Sequence, residues 1–130
     1  MKEFLNSLFV VQKYSMNHDN IKTVSVAGNG IIKIVFDNGI DTEISSCYVG
    51  DLLSWVMGRA QPGSVWITIM SNVNVAAVAN LTDVALVIFA ESVEPDSELY
   101  DRMSKADALF CKSPLSAYEL AWRIKEITGV

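Results

Sequence analysis

Three short polar stretches carry the side chains best suited to chemistry. Ser71-Asn72-Val73-Asn74, Glu91-Ser92 and Lys112-Ser113-Pro114-Leu115-Ser116 each follow an apolar run: Val65–Met70, Val84–Ala90 and Ala108–Cys111. Small hydroxyls and amides beside the free N–H groups of a helix start, with Lys112 among them, suit an anion or a nucleotide. The same residue types are also the preferred helix caps, so Ser71, Asn72, Asn74 and Ser113 have a purely structural role open to them. Thr68, near the end of the first run, and Asp51 extend the set, and Ser116 completes it. Asp51 opens a helical stretch, where its charge suits the dipole or orients a ligand or a neighbouring loop.

No catalytic constellation accompanies them. His18 is the only histidine and stands in a polar link, where it reads as a solvated residue rather than a base. Gly28-Asn29-Gly30 lacks the third glycine of a dinucleotide fingerprint and reads as a hairpin turn; no GxxxxGK[ST] or GxSxG is present. Cys47 and Cys111 lack CxxC spacing, and with one histidine they cannot complete a four-ligand zinc site. Both read as buried core thiols. Glu91, Glu94, Asp96 and Glu98 offer carboxylates for Mg²⁺, yet fit a solvated acidic helix start better. The expectation is therefore a non-enzyme with no metal and no cofactor.

Composition narrows the partners. In 130 residues, ten Lys and Arg face fifteen Asp and Glu, a net charge of −5. No basic face is concentrated enough for nucleic acid. The longest apolar run, Val84–Ala90, is far short of a bilayer span. With no basic and then apolar export signal at the N-terminus, a cytoplasmic protein with reduced thiols is expected. Hydrophobic residues nevertheless reach 51% and charged ones only 19%. That excess, with Trp55, Met57 and Trp122 on or near helix surfaces, points to a homo-oligomeric interface.

The elements that must position these residues follow from periodicity. Residues 2–16 read as an amphipathic helix and 16–20 as a link, ahead of a domain spanning 21–130. Thr23–Ala27, Ile31–Phe36 and Ile40–Ile44 read as a small antiparallel meander, broken by Gly28-Asn29-Gly30 and Asp37-Asn38-Gly39. Val49–Met57 reads as a helix stopped at Gly58, and Gln61-Pro62-Gly63-Ser64 as a type II turn. From residue 65 onward strands and helices alternate: Val65–Met70, a helix over Asn74–Asn80, Val84–Ala90, a helix opened by Pro95, and Ala108–Cys111. The last helix starts at Ser113-Pro114 or at the capping box Ser116-x-x-Glu119 and ends near Ile127. The result is α/β: a three-layer parallel sheet with a β-α-β-α-β-α C-terminal part, preceded by a small N-terminal helix and short strands. In such sheets ligands sit outside the carboxyl ends of the strands, where the three polar stretches lie.

Three blocks carry a family resemblance: Tyr48–Met57 (YVGDLLSWVM), Trp66–Ala79 (WITIMSNVNVAAVA) and Ser113–Leu120 (SPLSAYEL). Over about residues 37–127 the chain resembles the DRTGG domain, in its small stand-alone members labelled serine kinase. These are similar to the non-catalytic N-terminal domain of HPr kinase/phosphorylase, with a MurF-like α/β fold. The resemblance implies ligand sensing or protein interaction rather than kinase chemistry, since the kinase's P-loop domain has no counterpart in this sequence. Stand-alone relatives of this kind resemble accessory proteins encoded near redox and hydrogenase genes, which implies an adaptor as the alternative role. Two departures stand out. Ser45-Ser46-Cys47 replaces a Gly-rich approach, and Ser71-Asn72-Val73-Asn74 stands where many DRTGG domains carry an arginine.

Overall fold

A computed structural model describes residues 31–130 of the chain. The expected N-terminal helix, the link with His18 and the strand over Thr23–Ala27 lie outside the described residues. The strands are β1 (Lys33–Phe36), β2 (Cys47–Val49), β3 (Val65–Thr68), β4 (Leu86–Phe89) and β5 (Leu109–Lys112). The helices are α1 (Leu53–Arg59), α2 (Asn74–Thr82), α3 (Ser97–Met103) and α4 (Ala117–Thr128).

The five strands form one sheet in the order β1-β5-β4-β3-β2. β2 to β5 are parallel neighbours, and β1 joins β5 antiparallel, pairing Lys33 with Lys112. The sheet is therefore mixed rather than all parallel. Successive side chains of a strand point to opposite faces, which divides the core in two. Val65, Ile67, Ile88, Leu109 and Cys111 meet Leu120, Ile124 and Ile127, the apolar stripe of α4. Trp66, Val87, Phe89 and Phe110 meet Val56 of α1, Val75, Val78 and Ala79 of α2, and Leu99 and Met103 of α3. Strands apolar on both faces are what this double cover requires.

Among the described residues, the second half of the expected meander does not form. Ile40–Ile44 forms no strand against β1, because β1 takes β5 as its partner and the chain must then reach β2 at the opposite edge. Residues 37–46 make that crossing. Asn38 starts it, its side-chain amide donating to the carbonyls of Met103 (3.0 Å) and Ala108 (2.8 Å). Ser45 ends it by donating from its backbone N–H to Gly63 O and from its hydroxyl to Pro62 O. The Asp37-Asn38-Gly39 turn survives locally, with Gly39 at φ +76° and its N–H on the Asp37 carboxylate.

The helix expected over Val49–Met57 begins later, and Val49 belongs to β2. Gly58 is not the stop: it lies inside α1, which closes at Ala60 with a backbone bond to Val56 O. No left-handed residue is needed there because Ala60 leaves in an extended conformation. The turn at Gln61–Ser64 forms as expected, with Gly63 at φ +78° and Ser64 N–H donating to Gln61 O. Ser116 caps α4 by accepting from Glu119 N–H, and Gly129 ends that helix at φ +74°. Among the described residues, no helix is long and apolar enough to cross a membrane.

Candidate functional site

The carboxyl ends of β3, β4 and β5 bring the three polar stretches to one rim, as expected. What they do there differs from stretch to stretch. Asp51 follows β2 and reaches the end of β3, where one carboxylate oxygen accepts from the Thr68 hydroxyl (2.8 Å) and from Ile69 N–H (2.9 Å). Thr68, itself buried, accepts from Met70 N–H. Asn72 folds back to accept from Asn74 N–H, an Asx turn at the α2 start, and Ser71 O accepts from Asp96 N–H ahead of α3. Ser113 is buried and accepts from Leu115 N–H. Lys112 is bound to Glu94, Nζ to Oε1 at 2.6 Å. The structural role therefore accounts for Asp51, Thr68, Asn72, Ser113 and Ser116, with Lys112 held in an ion pair. The eight residues lie along one rim in three local groups rather than around one cavity.

Among the described residues, β4 and β5 are the one adjacent pair of parallel strands whose following helices go to opposite faces, α3 to one and α4 to the other. Crevices of this kind are where ligands enter open sheets. Here two backbone bonds lace it: Glu91 N–H to Leu115 O (2.8 Å) and Ser92 N–H to Ser113 O (2.9 Å). Both donors sit at positive φ, +55° and +59°, in a turn closed by Val93 N–H on Ala90 O. Two consecutive left-handed residues without glycine store roughly 1–3 kcal/mol each. They persist because that geometry turns both N–H groups toward the β5–α4 loop.

Beside the laced turn lies a pocket of about 210 Å³, with Lys33, Ser92, Glu94, Lys112 and Ser113 in its wall. Two cations face one carboxylate. The Lys112 hydrogen bond holds the Glu94 carboxyl below the usual carboxylate range and raises the Lys112 ammonium in return. Tyr100 donates to the other Glu94 oxygen, its own hydroxyl raised by partial burial and by the Glu94 charge. A depressed carboxylate is lost as a partner only when pH falls through its lowered pKa, so the pair is closed at neutral pH. Lys33 carries no site signal in the sequence, and Glu94 reads there only as a weak Mg²⁺ ligand in an acidic helix start. Lys33 sits on an edge strand, and only the β1–β5 pairing brings it beside Lys112.

The three expected interface residues are exposed, at 54% for Trp55, 51% for Met57 and 46% for Trp122. They do not share a surface. Trp55 and Met57 are about 200° apart around α1, at 100° per residue. Trp122 is on α4, across the sheet. Its neighbour one turn earlier, Tyr118, is 82% exposed. Arg59 stacks on Trp55 (3.9 Å) and Arg123 on Trp122 (4.4 Å).

Burial pushes the Cys47 thiol up to about 11 and the Cys111 thiol up to about 12, the latter with help from the Asp37 charge. At pH 7.5 the thiolate fraction is then at least about two orders of magnitude below that of an ordinary cysteine. Iodoacetamide is accordingly expected to label the folded protein at least about a hundredfold more slowly than the urea-unfolded chain. Rapid labelling of Cys47 in the native state would show a reactive thiol instead. Among the described residues, no three His, Cys, Asp or Glu side chains gather closely enough to hold a metal ion. No family model matches the chain, and no curated protein does.

Proposed function

We propose that this protein is a non-catalytic, ligand-sensing module of the DRTGG kind, with the MurF-like three-layer arrangement. It binds a small anionic or nucleotide-like ligand at the carboxyl end of β5. The observation that carries this reading is the pocket in which Lys33 and Lys112 flank Ser92 and Ser113 against the single carboxylate of Glu94. A phosphate or carboxylate group entering there competes with Glu94 for the Lys112 ammonium, a charge-assisted bond of the stronger kind. The strained Ala90–Val93 turn fits the same reading, since backbone strain of this sort gathers at ligand sites. DRTGG domains that accompany regulatory modules supply the analogy for sensing.

A second reading, a homo-oligomeric adaptor without a small ligand, is favoured by the exposed Tyr118 and Trp122 one turn apart on α4. One set of measurements separates the two. Thermal melting of the wild type with millimolar phosphate, AMP and citrate is expected to rise by several degrees, because ligand at about 100 Kd adds about 2.7 kcal/mol. The Lys112→Ala variant is expected to lose most of the rise. Absence of any rise, or a rise undiminished by Lys112→Ala, removes the β5 site. A dimer by light scattering that Trp122→Ala weakens would then put the adaptor in its place.

A further inference from the structure

A second cavity lies between α2 and α3, on the sheet face opposite α4. It measures about 290 Å³, and Asn74, Ala76, Ala77, Asn80, Arg102 and Lys105 line it. We infer that this groove is a binding site for a phosphate-bearing small molecule, distinct from the β5 pocket and independent of it.

The charges make the case. The chain carries five more acids than bases, and α3 and its flanks are acidic, with Asp96, Glu98, Asp101 and Asp107. Glu98 stands four residues before Arg102, the spacing at which helical ion pairs form. Yet among the described residues the ion pairs are Lys112–Glu94 and Arg123–Glu119, and neither Arg102 nor Lys105 takes part in one. Both line the groove instead.

The remaining walls suit the same ligand. Alanines at 76 and 77 keep the α2 side shallow, and Ala77 is exposed, so a larger side chain there would fill the groove without disturbing the core. Asn74 and Asn80 bracket this floor, each offering an amide donor and an acceptor. A guanidinium fork matches two phosphate oxygens, an ammonium adds a movable point charge, and the amides reach ester or ring oxygens. The volume lies at the small end of the range of ligand pockets, which suits a nucleoside monophosphate or a sugar phosphate.

The test is a titration of the isotope-labelled 130-residue chain with inorganic phosphate and with AMP, at constant ionic strength set with chloride. Amide and Arg102 Nε shifts are expected to move and saturate at α2 and α3. Arg102→Ala and Lys105→Ala are each expected to weaken binding about tenfold or more, as loss of a charged hydrogen bond does. Ala77→Leu, which alters no charge, is expected to block AMP. Lys112→Ala is expected to leave the α2–α3 shifts intact, so failure of the β5 site and failure of this one are read separately. Shifts that do not saturate by 20 mM, or that survive the Arg102→Ala/Lys105→Ala double variant, overturn the assignment.

Discussion

Replacing Trp66 by alanine is expected to lower the melting temperature by about 10–20 °C. Trp66 is fully buried in the middle of β3, between Tyr48 of β2 and Val87 of β4 in register. Removing so large a core side chain costs about 3–5 kcal/mol in transfer and cavity terms. In a chain of this length each kcal/mol corresponds to about 3–4 °C. The indole also donates to Gly50 O (2.9 Å), tying β3 to the loop that carries Asp51. Trp66→Phe keeps most of the volume and removes the donor, so a loss of only about 1–2 kcal/mol is expected. Differential scanning calorimetry of the two variants separates packing from the indole tie. Equal losses would assign the stability to the hydrogen bond alone.

The second large effect is expected at Asp51. Its carboxylate satisfies a buried hydroxyl and a backbone N–H at once, so Asp51→Ala strands two donors at the end of β3. A loss of about 2–3 kcal/mol follows if neither finds water. Thr68→Val removes one of those donors and also the acceptor of Met70 N–H. Because the residues touch, the double variant is expected to be less damaged than the sum of the singles, by about 1–2 kcal/mol. Urea melts of the four proteins measure this coupling. Additive losses would mean that Asp51 does not act through Thr68, and unchanged stability with lost ligand response would make Asp51 a ligand contact.

The C-terminal half was legible in the sequence because each level of organisation agreed there. Val84–Ala90 is apolar at every position, as a strand covered on both faces must be, and Ser116 with Glu119 marks a helix start that forms as written. The stretch from 31 to 49 was not legible, because its pairing is decided at a distance. Ile31–Phe36 is a sound strand, but nothing local says that its partner is β5 rather than Ile40–Ile44. The three residues of β2 are too few to show a period before the α1 pattern takes over. At the rim, residue types left two roles open, cap or ligand contact. Asn72 and Ser113 look alike in both, and the fold settles their hydrogen bonds as turns that accept from Asn74 and Leu115, while Ser116 accepts from Glu119 as its capping box foretells. Arg102 and Lys105 carried no signal, because in an acidic stretch they look like ordinary partners for Glu98 and Asp101.

The edge pairing of β1 with β5 also sets the order in which the sheet can assemble. Each parallel contact from β2 to β5 closes a loop of about twenty residues around its own helix, whereas Lys33 and Lys112 pair across a sequence separation of about eighty. A loop about four times longer costs about 1.2 kcal/mol more in closure entropy. Contacts of high sequence separation are the slow ones in folding. Loop closure therefore favours the parallel core as the earlier unit and β1, which brings Lys33 to the β5 pocket, as the later addition. Any ligand that needs Lys33 would in that case report on the completed fold.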